Sequence, residues 1–288
     1  LSKTKQVHLA NFAKPTKRRK PPQLSRAVLY RGPSLINGMP IVVIAVWRRK
    51  KSNSKTGPMV QTYILPDVGL LDIMQIVMLG LDVSVCGGCD HRYDYDAQGV
   101  AIRGTRTCYV NLGQGVQSVL SCFGRGGYQD VSNDPALIEE LGRGRMVRLG
   151  TWGDPAAVPL PVWEALLADS VGHTGYTHQW RSERLAAPIR DIVMASCETV
   201  ADVVKAKARG FRGTFRVLPV FELPAAAELC PASVEAGKVA TCFGCGRCNG
   251  QGGDVAIVAH GSMRGRYLPN HPLVQHGPSG KPFEEVLV

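Results

Sequence analysis

From Met146 onward the chain alternates strand-length apolar runs with stretches of helical spacing, and this constrains its fold more than any other feature. M-V-R-L-G-T-W-G-D-P is followed by P-V-W-E-A-L-L-A-D, and D-I-V-M-A-S-C-E-T by V-A-D-V-V-K-A-K-A-R-G. G-H-T-G-Y-T-H-Q-W, F-R-G-T-F-R-V-L-P and D-V-A-I-V-A-H-G supply the remaining strand-like runs. Strand, helix and strand in this order build a parallel sheet with right-handed crossovers. Several such units predict an α/β fold, a full or partial β/α barrel, with functional side chains where the strands end.

Those strand ends carry Trp152 and Asp154, then His178, Gln179 and Trp180, then Cys197 and Glu198, and finally His260. Asp154, Glu198 and His178 are the candidate catalytic groups, since carboxylates and imidazole serve as nucleophile or acid/base. Trp152, Gln179 and Trp180 are candidate contacts for a planar base. Each residue alone has a plainer role: Asp154 before proline caps the next turn, Glu198 sits in a first helical turn, and a single histidine is usually structural. The functional reading rests on their coming together.

The second constraint is cysteine. C-F-G-C-G-R-C places Cys242, Cys245 and Cys248 at C-x2-C-x2-C, with Cys230 upstream and His260 downstream as fourth donors. Short thiolate spacing in a glycine-rich loop suits zinc, and thiolate-rich sets also hold iron-sulfur clusters. A second possible metal site is Cys86 and Cys89 in C-G-G-C-D-H-R, with His91, Cys108 and Cys122 as further donors; a redox dithiol is the rival reading. The nine cysteines are an odd number, against a complete disulfide framework.

The formal charge of +11 favours a polyanionic partner, and nucleic acid, double-stranded DNA in particular, is the expected one. Residues 1–33 read as a basic, flexible arm containing K-P-T-K-R-R-K-P-P. Residues 34–80 read as a β-hairpin extension whose turn, with Arg48, Arg49, Lys50 and Lys51, suits phosphates. Residues 81–288 read as a barrel-like catalytic domain with a metal-binding cysteine module at Cys230–His260. L-D-V-S-V before Cys86 reads as a buried strand, and a helix is expected from about Val116. No apolar run is long enough to span a bilayer, and no signal-peptide pattern opens the sequence, so a cytoplasmic location is expected.

Taken together, Cys86 and Cys89, Arg106 to Tyr109, Gly153 and Asp154, Thr177 to Trp180, Ser196 to Thr199, and Cys230 to His260 resemble a phage-associated family with these elements in the same order. The likeness covers residues 80–262. More distantly, the layout is similar to the tRNA-guanine transglycosylase superfamily and its phage DNA-acting relatives, which exchange guanine for a 7-deazaguanine base. That resemblance implies a β/α barrel, Asp154 attacking the sugar C1′, and a structural zinc on Cys242, Cys245, Cys248 and His260. The tRNA enzymes carry C-x-C-x2-C where this chain has C-x2-C-x2-C and an added Cys230. The implied protein is a base-exchanging transferase acting on DNA in a bacterial host. The alternatives are a metal-stabilised DNA-binding protein without catalysis and an iron-sulfur, radical-type enzyme, though the C-x3-C-x2-C of the latter is absent.

Overall fold

The computed structural model describes residues 24–47, 54–219, 222, 225 and 228–259. In chain order these form β1 (Arg26–Pro33), β2 (Pro40–Val46), β3 (Val60–Pro66), α1 (Ile73–Met78), α2 (Val83–Cys86), α3 (Gln117–Gly124), β4 (Gln129–Asp130), α4 (Pro135–Gly142) and β5 (Met146–Trp152). There follow α5 (Leu160–Leu167), β6 (Gly172–Thr174), β7 (Tyr176–Thr177), α6 (Glu183–Ala186), β8 (Met194–Ser196), α7 (Val200–Ala208), β9 (Thr214–Leu218), α8 (Cys242–Cys245) and β10 (Val255–Val258).

The architecture is mixed α/β. One six-stranded sheet runs β4-β1-β2-β3-β5-β6 and one four-stranded sheet runs β10-β9-β8-β7. β1, β2 and β3 are antiparallel neighbours, whereas β3, β5 and β6 are parallel, as is every pair of the second sheet. Only Gly175 separates β6 from β7. Its N–H donates to Cys248 O at 2.9 Å and its carbonyl accepts from Met194 N at 2.9 Å, so one residue hands the chain from sheet to sheet.

P-I-V-V-I-A-V is buried through Ile41–Ala45 on both faces, as a central strand of β-branched residues should be. The hairpin is continuous with the rest of the molecule. β3 lies beside β5, and Ile41, Ile64, Trp152, Trp163 and Trp180 belong to one buried cluster. A smaller cluster gathers Met194, Phe215, Cys248, Val255 and Ile257 under the second sheet. Side-chain caps set the helix starts: Asp134 accepts from Leu137 N, and Thr199 and Asp202 form a reciprocal box at α7.

The structure corrects one local expectation. L-D-V-S-V is not a strand; Val83–Cys86 is a short helix, with Ser84 Oγ donating back to Leu81 O. A short apolar run does not distinguish a buried strand from a buried helical turn. Among the described residues, no helix is long and apolar enough to cross a membrane.

Candidate functional site

β5 delivers Asp154 through a turn that only glycine can make. Gly153 has φ of +84°, and a Cβ there would lie 2.6 Å from Ile64 O, so both the backbone angle and the neighbouring strand exclude a side chain. Asp154 then donates its N–H to Val85 O at 2.6 Å. Its Oδ1 accepts Ala156 N–H at 3.0 Å, and its Oδ2 accepts His178 N–H at 2.7 Å and Gln179 Nε2 at 3.5 Å. Only 5% of the residue is exposed. Burial raises the Asp154 pKa, against the hydrogen bonds from Ala156, Thr177, His178 and Gln179 that lower it.

His178 follows β7 and Glu198 follows its parallel neighbour β8, and His178 joins them to Asp154, which follows β5 of the other sheet. Glu198 Oε1 lies 3.1 Å from His91 Nε2 and 3.9 Å from His178 Nδ1. His91 is held from its other side by Thr107, with Nδ1 and Oγ1 2.7 Å apart. The two imidazoles meet edge to face, with centroids 5.5 Å apart. Burial disfavours the Glu198 charge, but His91, His178 and Arg181 outweigh it and hold the carboxyl down at about 2. Burial also opposes charge on His91, yet Glu198 lifts its pKa above the usual value. Burial, then the neighbouring His91, pushes His178 down to about 4. The cluster therefore holds an ionised carboxylate, an imidazole biased to imidazolium and an imidazole kept neutral. His178 Nδ1 is buried without a hydrogen-bond partner among the described residues.

The other strand-end residues have different surroundings. Trp152 and Trp180 are 4% and 1% exposed, so both rings pack in the core. Trp180 Nε1 donates to Ser196 O at 2.8 Å, and the Arg181 guanidinium lies 4.4 Å from its ring centroid. Gln179 spans the cluster: its Nε2 donates to Cys86 O at 2.9 Å and its Oε1 accepts Gly88 N–H at 3.4 Å. Cys197 is buried at the end of β8. Arg48, Arg49, Lys50, Lys51 and His260 lie outside the described residues.

The later cysteines surround a cavity of about 200 Å³ in which Cys230, Cys242, Cys245 and Cys248 share the wall with Arg148, Lys55 and Tyr176. α8 is capped by Thr241 and closed by Gly246 in the left-handed conformation. Cys242 N–H reaches Lys55 O and Phe243 N–H reaches Thr56 O, which fixes this loop against residues 55–56. Burial drives the Cys248 thiol up to about 12 although the Tyr176 hydroxyl bonds to it. Arg148 Nε is buried with no partner among the described residues. Among those residues, no three His, Cys, Asp or Glu side chains are already gathered into a coordination shell.

Sequence reasoning placed His91 with the cysteines as a donor, and missed its pairing with Glu198 and its Thr107 support. The cue was spacing alone, and the partner lies over a hundred residues away in sequence. No family model, no curated protein and no solved structure matches the chain.

Proposed function

We propose that this protein modifies a nucleobase, exchanging guanine in DNA for a 7-deazaguanine base. The observation that carries the reading is the meeting of Asp154, His178 and Glu198 just beyond the ends of β5, β7 and β8, with Asp154 Oδ2 2.7 Å from His178 N and His178 Nδ1 3.9 Å from Glu198 Oε1. Asp154 is the nucleophile: its oxygens are held by backbone N–H groups, and each keeps acceptor capacity for the sugar carbon. Attack at C1′ forms the Asp154–sugar ester and breaks the bond to guanine, which takes up a proton from solvent as it leaves. His178, neutral and with an unengaged Nδ1, stands where a proton can be passed, and the Glu198 carboxylate faces it. The incoming base then gives up its ring N–H proton to solvent as it displaces Asp154 from C1′ and restores the carboxylate.

Zinc is the cofactor assigned to the late cysteines, with Cys230, Cys242, Cys245 and Cys248 as donors and His260 as the alternative fourth. Four thiolates around a divalent ion leave two net negative charges, which the Arg148 and Lys55 cations on the same cavity wall offset. Bound there, zinc would fasten the glycine-rich loop to the second sheet, and the chemistry would stay with Asp154, His178 and Glu198.

The test is nucleoside mass analysis of DNA incubated with the protein and a 7-deazaguanine base, for wild type and Asp154→Asn. Asparagine turns one acceptor into a donor facing a backbone N–H, so the melting temperature is read beside activity. A folded, DNA-binding Asp154→Asn protein without exchange supports the assignment, and one with wild-type exchange removes Asp154 from it. A second reading is favoured by the same carboxylate's role as a helix cap at Pro155–Ala157, which a purely structural clamp would also fill. On that reading the protein binds DNA in a salt-sensitive way and leaves its nucleosides unchanged.

A further inference from the structure

The segment from Gly87 to Asn111 holds no helix and no strand beyond the single bridge Tyr95–Ala101, yet it is placed firmly against the catalytic cluster. Irregular segments this long in a compact domain need something other than a core or a ladder to order them. Part of the order comes from Arg92, which forks onto Asp82 at 3.0 and 2.8 Å and reaches Gly87 O and Gly80 O. Part comes from Gln179, whose amide fills the space beside Gly87 where a Cβ would sit 2.5 Å from its oxygen. Neither group secures the far arm, which returns at Cys108.

Three cysteines sit where a fastening would act. Cys86 ends α2, and Cys89 N–H closes back on Cys86 O at 3.2 Å. Thr107 and Cys108 both donate their N–H to His91 O, at 3.3 and 3.0 Å, which lays Cys108 beside that turn. Cys89 lies three residues beyond Cys86 on that turn, and His91, whose carbonyl receives the Cys108 N–H, lies two residues beyond Cys89. The other donors considered for this place are engaged elsewhere. His91 has Glu198 on Nε2 and Thr107 on Nδ1. Cys122 lies on α3, with its sulfur against Gly127.

We propose that Cys86, Cys89 and Cys108 form a second, three-thiolate site for a divalent cation of the zinc class, separate from the late cysteine cavity. The thiols converge by side-chain rotation when the ion enters, each giving up its proton to solvent. The site joins the two arms of the irregular segment and holds His91 and Thr107 against Glu198. With three protein donors, its fourth position is left to water or another small ligand, the arrangement of open rather than closed zinc sites. This inference does not rest on the base-exchange reading, because its readout is bound metal.

The experiment loads the full chain with zinc, removes the excess, and measures bound metal by elemental mass spectrometry, with circular dichroism as the folding control. Cys108→Ser is expected to lose one equivalent relative to wild type, and Cys122→Ser and Cys197→Ser to lose none. A folded Cys108→Ser protein with undiminished zinc overturns the proposal. Should that variant fail to fold, metal-free protein carrying Cys230→Ser, Cys242→Ser, Cys245→Ser and Cys248→Ser, which leaves no thiol in the late cavity, is titrated with Co²⁺ alone. Thiolate-to-cobalt charge-transfer intensity corresponding to three thiolates supports the site, and its absence overturns it.

Discussion

The strand-end cluster and the late cysteine cavity are both polar places in an apolar interior, and they solve that problem in opposite ways. Around Asp154 the charges are answered from within the chain: backbone N–H groups take the carboxylate, and His91 takes Glu198 at 3.1 Å. Around Cys242, four thiols and the Arg148 guanidinium, whose Nε is buried with no hydrogen-bond partner among the described residues, face a cavity of about 200 Å³. A cluster whose carboxylates already have donors needs no added ion to balance them. A cavity lined with donors and cations is arranged to be filled.

Removing the proposed filling is the hardest blow to this contrast. Chelation of metal from the full chain should destabilise the second sheet and α8 by about 10 kcal/mol, the scale of structural zinc sites. It should leave the hydrogen-exchange protection of β1–β3 in place. Equal loss of protection in both regions would erase the distinction.

Asp154→Asn comes next. It should abolish base exchange, a loss of about a thousandfold or more, and cost about 1–3 kcal/mol of stability by replacing an accepting oxygen with an amide donor that faces a backbone N–H. Calorimetric melting beside nucleoside analysis separates the two effects. Unchanged stability would mean that the carboxylate is not clamped as described.

Glu198→Gln leaves His91 without its counter-charge. The His91 pKa should fall below the ordinary histidine value, because burial then acts unopposed by the carboxylate, and stability should drop by about 2 kcal/mol at neutral pH. Titration of the imidazole signals by NMR reads this directly. A His91 signal indifferent to the substitution would break the pair.

The smallest effect is in acid. The His178 pKa falls from 6.5 to about 4 on folding, so the unfolded chain binds the extra proton and stability declines as pH drops from 6.5 towards 4. Glu198 falls from 4.5 to about 2, which continues the decline below pH 4.5. The raised pKa of His91 works the other way: its contribution is full below 6.5 and is lost as pH rises through its folded value. The net loss from pH 6.5 to 4 should be about 2 kcal/mol or less, and His178→Gln should flatten it.

Much of this arrangement is legible in the sequence. The alternation after Met146 marks strands and helices in order, and G-D, T-H-Q-W and S-C-E-T mark strand ends that do lie together. The hairpin is equally clear because its β-branched runs flank a charged turn. What sequence spacing could not carry were contacts made across the fold. The Trp152 and Trp180 rings look like stacking surfaces at strand ends, and pack inward because sheet and helices close over them. The pairing of His91 with Glu198 depends on where an irregular segment lands, and no periodicity governs that. Nor did the hairpin's residue pattern disclose that β3 would run parallel beside β5 as part of the same sheet.

The most direct measurement is mass analysis of nucleosides from double-stranded DNA carrying isotope-labelled guanine, after incubation with the zinc-loaded protein and an unlabelled 7-deazaguanine base. The account predicts released labelled guanine and an equal amount of 7-deazaguanine nucleoside in the DNA. Tight, salt-sensitive DNA binding with unchanged nucleosides would contradict it and leave Asp154 a structural clamp.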